Sequence, residues 1–263
     1  MSEIPRSHHF EDSGVFFHRT SWNADAIAFA FKAGPPEGHR TTRLLAAVPE
    51  WQLSSGHAHP DAGSFIVSAG GRYLTGDTGY AGQPQARHHN TVTVGGIGQG
   101  DEGDHDVWRG MNPAALDTIR ITRATADASG MFLEAAAAGA YPAAAGLARF
   151  RRTLTFDGKA TFSIEDTIET SAPKAVEWFL HADAPIAAEG GRFVISAAPA
   201  ELRVRIEAPG GSKTTTGPTY LTAPGQPGSI TAGKQEQRGY EVRVDVPPSS
   251  AVAIRATLSV GTR

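Results

Sequence analysis

The chain has 263 residues, a mass of 27.6 kDa and a formal net charge of -3, so it can bury a large core and presents no general nucleic-acid or anionic-membrane surface. It contains no Cys, which removes disulfides, thiolate nucleophiles and cysteine-ligated zinc. With 30 Gly, 17 Pro and 19% charged residues, the composition suits short strands and many turns rather than long helices.

Taken in chain order, Phe10 to His18 and Ala26 to Lys32 read as two opening strands, the second alternating Ile27, Phe29 and Phe31 on one face. Residues 37–62 lack apolar periodicity and are rich in His, Pro and Ser, which predicts a long ordered loop. Ser64 to Ser68 and Arg72 to Thr75 flank Ala69-Gly70-Gly71, a hairpin signal because glycines adopt positive φ. Thr91 to Val94 forms a further strand, and the acidic stretch Gly98 to Pro113, with Asp101, Glu102, Asp104, His105 and Asp106, reads as a surface loop.

From Asp117 onward, nine segments carry strand character, ending with Leu202 to Glu207, Tyr240 to Val246 and Val252 to Ser259. Their alternation gives one apolar and one solvated face, as in a two-layer sandwich. The Ala-rich run after Met131 is assigned to an antiparallel strand with small side chains. Residues 208–239, dense in Gly, Thr, Pro and Gln, are read as an irregular insertion with a short strand near Tyr220. The expectation is one all-β domain over residues 1–263, a large antiparallel β-sandwich.

Chemistry concentrates between His57 and His89. Four of the ten histidines fall in Gly56-His57-Ala58-His59-Pro60-Asp61 and Arg87-His88-His89-Asn90, with Asp77 between them. Imidazole and carboxylate groups are costly to crowd unless paired or ligating a metal, and a His/Asp donor set suits zinc or another borderline divalent ion. The alternative is a hydrogen-bonded polar cluster under a loop. His181 has no evident partner. Ser54 and Ser55 lack a nucleophile elbow, and the glycines of residues 93–100 lack the Lys-Ser/Thr ending of a phosphate loop.

The ordered elements Gly56-His57-x-His59-x-Asp61-x-Gly63-Ser64-Phe65, Asp77-x-Gly79 and His89-Asn90-Thr91 resemble the heparinase II/III-like family of polysaccharide lyases. The opening Phe10 to Gly14 and Arg19 to Trp22 resemble the start of that family's carboxy-terminal β-sandwich. The resemblance implies a supersandwich-like fold. It also implies zinc on His59, Asp77 and His89, with His89 favoured over His88, and a cleft histidine at His57. Asp61 would orient a ligand histidine from behind, while Tyr80 and Arg87 would reach a uronate carboxylate.

By the same resemblance, the reaction is β-elimination in a uronate-containing acidic glycan, such as a glycosaminoglycan or alginate. The partner implied is an α/α toroid domain or subunit holding the remaining proton-transfer groups, and no helical-repeat region of that kind is read before residue 10. The alternative function is a non-catalytic carbohydrate-binding or scaffolding sandwich. Met1 to Arg6 shows no signal peptide, and no apolar stretch approaches a bilayer span. The expected location is periplasmic or secreted as part of a longer exported protein, and cytoplasmic otherwise.

Overall fold

The computed structural model describes residues 4–48, 50–51, 57–79, 84–102, 106–222 and 235–262. The small sheet is an antiparallel meander of β1 (Ser7–Phe10), β2 (Val15–Arg19), β3 (Ala28–Lys32), β4 (Ser64–Ala69) and β5 (Arg72–Tyr73). Phe10 to His18, expected as one strand, is a hairpin. The chain reverses at Gly14, whose φ of 62° and close approach to the Ala33 carbonyl admit no Cβ.

Between β3 and β4 the expected loop contains α1 (Gly38–Ala47). Its buried face is Gly38, His39, Thr42 and Leu45, so the helical spacing is present but carried largely by polar and small residues that apolar periodicity does not register. His39 Nδ1 lies 2.6 Å from Asp117 Oδ1, beyond the short α2 (Pro113–Leu116), and this pair clasps the two helices together.

The large sheet holds β6 (Val92–Val94), β7 (Arg120–Asp127), β8 (Gly130–Ala136), β9 (Leu147–Phe156), β10 (Thr161–Ala182), β11 (Ile186–Glu189), β12 (Arg192–Ala197), β13 (Ala200–Glu207), β14 (Lys213–Thr222) and β15 (Gln235–Thr262). Its main path runs β11-β12-β13-β15-β10-β9-β8-β7, with β14 added on β15 and β6 on β10. Two strands expected on either side of Pro173 are one 22-residue strand, and two expected on either side of Pro247-Pro248 are one 28-residue strand.

Proline is tolerated at those points because the register shifts there: Glu169 pairs with Ala251, Lys174 with Ser249 and Val176 with Val246. The shared irregularity divides the sheet. On one side β10 pairs with β9 and β15 with β13; on the other β10 pairs with β6 and β15 with β14. Within the stretch expected as irregular, Lys213–Thr222 is a ten-residue strand, because every position but Thr219 has a register partner on β15 whatever its side chain. The Ala-rich run is strand through Ala136 and then two 3-10 turns, Ala138–Ala140 and Ala143–Ala145.

One apolar core joins the layers. Phe29 of β3 stacks on Phe162 of β10 with ring centroids 5.4 Å apart, and Phe162 stacks on Phe156 at 4.4 Å. Such aromatic pairs add about 0.5–1.5 kcal/mol each beyond the area they bury.

Candidate metal and substrate site

Three segments meet where the far half of the large sheet approaches the end of the small one. His59 lies in the loop entering β4, Asp77 just beyond β5, and His89 after the 3-10 turn Ala86–His88 that leads into β6. Gly76 bridges to His181 near the end of β10, which brings the Asp77 segment against the large sheet.

Asn90 locks the junction. Its side-chain amide donates to the Phe65 and Gly76 carbonyls at 2.7 and 2.9 Å, and its Oδ1 accepts the His181 backbone N–H at 2.7 Å. One buried side chain thus ties β4, the Asp77 segment and β10 to the residue beside His89.

Behind it, Arg152 of β9 is 1% exposed and forms a fork–fork pair with Asp166 of β10, at 2.7 and 2.6 Å. Its remaining amino group donates to the carbonyls of Gly63 and Asn90, and Trp178 Nε1 donates to Asp166 at 2.8 Å. Gln99 holds both backbone groups of Ala62, at 2.9 and 2.8 Å, while Trp108 Nε1 holds the Ala58 carbonyl at 2.9 Å. The His57–Gly63 segment is therefore fastened along its length although it has no regular secondary structure.

Within this frame the His59 and His89 rings lie 5.2 Å apart between centroids, and Asp77 Oδ2 is 3.5 Å from His89 Nδ1. The His89 contact, together with the Gly79 N–H at 2.7 Å, holds the Asp77 carboxyl down at about 2, so it stays ionised. Burial lowers the His59 pKa, with His89 adding to the effect. His89 Nε2 is sealed from solvent and has no hydrogen-bond partner among the described residues.

Two imidazoles, one of them with an unpartnered buried nitrogen, and an ionised carboxylate are donor types that a divalent ion such as zinc takes. Among the described residues, no group of three or more His, Asp or Glu stands close enough together to hold a metal ion as placed. The trio converges without closing.

The other expected site residues separate. His57 is exposed at the mouth of the segment. Asp61 accepts from Lys32 Nζ at 2.6 Å; its influence on His59 is electrostatic, not the expected hydrogen bond from behind. Tyr80, like Ser54, Ser55, Asp104 and His105, lies outside the described residues. Arg87 lines a cleft with His88 on the other side of the turn that delivers His89. Of the adjacent histidines, it is His89 that faces His59 and Asp77; His88 turns back, its Nδ1 accepting the Gln85 N–H at 3.3 Å.

His181 belongs to this neighbourhood and was not paired from sequence. It is 1% exposed, its Nε2 donates to the Arg87 carbonyl at 3.0 Å, and burial pushes its pKa down to about 3. The sequence signal was the alternation of Val176 to His181; the missing information was the register that sets His181 opposite Gly76. Glu102 is not on a solvated loop: its carboxylate accepts the Ala86 N–H at the start of the turn, and burial raises its pKa.

A family profile described as heparinase II/III-like, C-terminal, matches residues 4–237. Among solved structures, the heparinase III BT4657 gene product with methylated lysines superposes with a TM-score of 0.70 at 21% identity, over 99% of this chain and 36% of that one. A crystal structure of heparinase III gives 0.68 at 13% identity, over 99% and 38%. Heparan sulfate lyase HepC from Pedobacter heparinus gives 0.66 at 17% identity, over 100% and 37%. At these identities the likeness is one of fold, and the chain spans little more than a third of each structure. No curated protein matches it.

Proposed function

The chain belongs to the heparinase II/III-like family, as its carboxy-terminal domain, and on that premise we propose that it forms the ion-holding wall of a polysaccharide lyase acting on uronate-containing glycans. The observation that carries this reading is the meeting of His59, Asp77 and His89 from three separate segments, with a buried ring nitrogen left unpartnered. His59, Asp77 and His89 would hold the ion. Bound there, it supplies positive charge and fixes the segment that bears His57.

β-Elimination removes a weakly acidic C5 proton and then expels the C4 oxygen, so the uronate carboxylate must be neutralised and a base and an acid must stand at the two atoms. His57, exposed beside the trio, is suited to the carboxylate or the C5 proton. Asp77, ionised throughout the neutral range, would bring the negative charge to the ion beside the two imidazoles.

The remaining proton-transfer group would come from the helical toroid that the family resemblance implies. The test has two parts. Elemental analysis of the purified chain should find one zinc or comparable ion, reduced at least tenfold in His59→Ala and His89→Ala. Unsaturated-uronyl absorbance should be absent with this chain alone, should appear when the helical portion is supplied, and should be lost again in His57→Ala. An ion-free chain whose folding ignores added zinc overturns the reading, and so does robust elimination by this chain alone. Binding of glycan that persists with the helical portion present but yields no unsaturated product would instead identify a carbohydrate-binding sandwich.

A further inference from the structure

His59 and His89 both stand outside regular strands, and the segments that carry them are held by one short loop, residues 98–102. At one end Gln99, fully buried, accepts the Ala62 N–H and donates to the Ala62 carbonyl, at 2.9 and 2.8 Å. At the other the Glu102 carboxylate accepts the Ala86 N–H at 2.5 Å, where the 3-10 turn leading to His89 begins. The loop is pinned from behind, for Gly100 N–H donates to the Ala140 carbonyl at 2.8 Å and Asp101 N–H to the Val107 carbonyl at 2.6 Å.

Arg152 and Asn90 fasten the chain just after His89. Glu102 fastens the turn just before it, so the histidine is held from both sides.

Glu102 reaches the turn by folding back over its own loop. Its carboxylate also accepts the Gln99 N–H, and a Cβ at Gly98 would overlap it. The backbone at Gly98 is not left-handed, so glycine there supplies room for the Glu102 side chain and not a special conformation. Turning a carboxylate inward costs hydration. The offset is a charge-assisted hydrogen bond at the start of the turn, with Arg87 and the His89 ring favouring the charge electrostatically.

We propose that Glu102 is a positioning residue of the candidate ion site: through the Ala86 N–H it fixes the turn that sets the His89 ring against His59 and Asp77. The proposal rests on the reading of that trio as the ion site, and Glu102 acts through the turn, not on the ion.

Three variants separate this tether from general stability. Glu102→Ala removes the carboxylate, Glu102→Gln keeps an acceptor oxygen, and Gly98→Ala leaves Glu102 in the chain but evicts its side chain. Amide hydrogen exchange of the full chain, in the presence of a chelator, reads the turn directly, with the amides of β10 and β15 reporting global unfolding. Relative to those, exchange at Ala86, His88 and His89 should quicken roughly tenfold in Glu102→Ala and in Gly98→Ala, the worth of one buried hydrogen bond. It should stay near the parent rate in Glu102→Gln. The double variant should exchange no faster than either single one, because both changes remove the same contact. Zinc affinity, measured without that chelator by competition with a chromophoric indicator, should follow the same order.

Turn amides that keep pace with the sheet in Glu102→Ala overturn the proposal. So do effects of Gly98→Ala and Glu102→Ala that add in the double variant, or a zinc affinity in Glu102→Ala equal to the parent's. A parent chain that takes up no zinc sinks the ion-site reading instead, and the exchange ratios then decide by themselves whether Glu102 fixes the turn.

Discussion

Asn90 and Arg152 illustrate how a site can depend on residues that carry no chemistry. Arg152 sits between the Phe65 and Phe150 rings, 5.6 and 5.5 Å from their centroids, and neutralises the buried Asp166, whose other donor is the Trp178 indole. Arg152→Met strands that carboxylate and two carbonyls, so denaturant titration should show a loss of about 3–5 kcal/mol; the double change with Asp166→Leu should recover part of it. His181 makes a pH-dependent contribution. Its folded pKa of about 3 lies below the ordinary histidine value, so the unfolded chain takes up a proton first as pH falls. Stability is complete above about pH 6.5 and declines toward pH 3, by about 2 kcal/mol between pH 6.5 and 5. In His181→Phe the slope of stability against pH over that window should flatten by up to one proton, measured by urea denaturation at successive pH values. Histidines and aspartates near position 60 were legible in the sequence because their density is unusual. Asn90, Arg152 and His181 were not, because their roles come from which backbone groups the register places beside them.

At the scale of elements, strands were recognised where side chains alternate, and they were cut wherever proline intervened. Pro173 and Pro247-Pro248 interrupt the pattern in the text, yet β10 and β15 continue through them because both strands shift register at the same level. A local rule cannot anticipate a compensation made by a partner some seventy residues away. α1 was missed for the complementary reason: its covered face is built from Gly38, His39 and Thr42. The hairpin joining β1 and β2 gives the sharpest check. A Cβ at Gly14 would fall 2.1 Å from the Ala33 carbonyl oxygen, at a φ of 62°. By thermal or chemical denaturation, Gly71→Ala, with nothing within 4 Å of its Cβ, should cost only the positive-φ strain of about 1–3 kcal/mol, and Gly14→Ala should cost more because the backbone clash adds to that strain.

For the molecule as a whole, the two-layer β architecture was readable from composition and alternation, while the sheet order was not, since strand neighbours separated by long stretches leave no mark in either partner alone. Ion binding offers a global test of the site. Zinc at about a hundredfold above its dissociation constant should raise unfolding free energy by about 2.7 kcal/mol in the parent chain and leave His59→Ala unmoved. The placement of β15 between β13 and β10 has a kinetic corollary. Ile164 and Val204 pair early with Leu154 and Phe193 but cannot complete their pairing until Ala256 and Leu258 arrive, so the middle of the sheet is the last part that can close. Long-range pairing of this kind slows acquisition of the native state. During that interval the facing edges of β10 and β13 are open to intermolecular pairing, and refolding yield should fall as protein concentration rises.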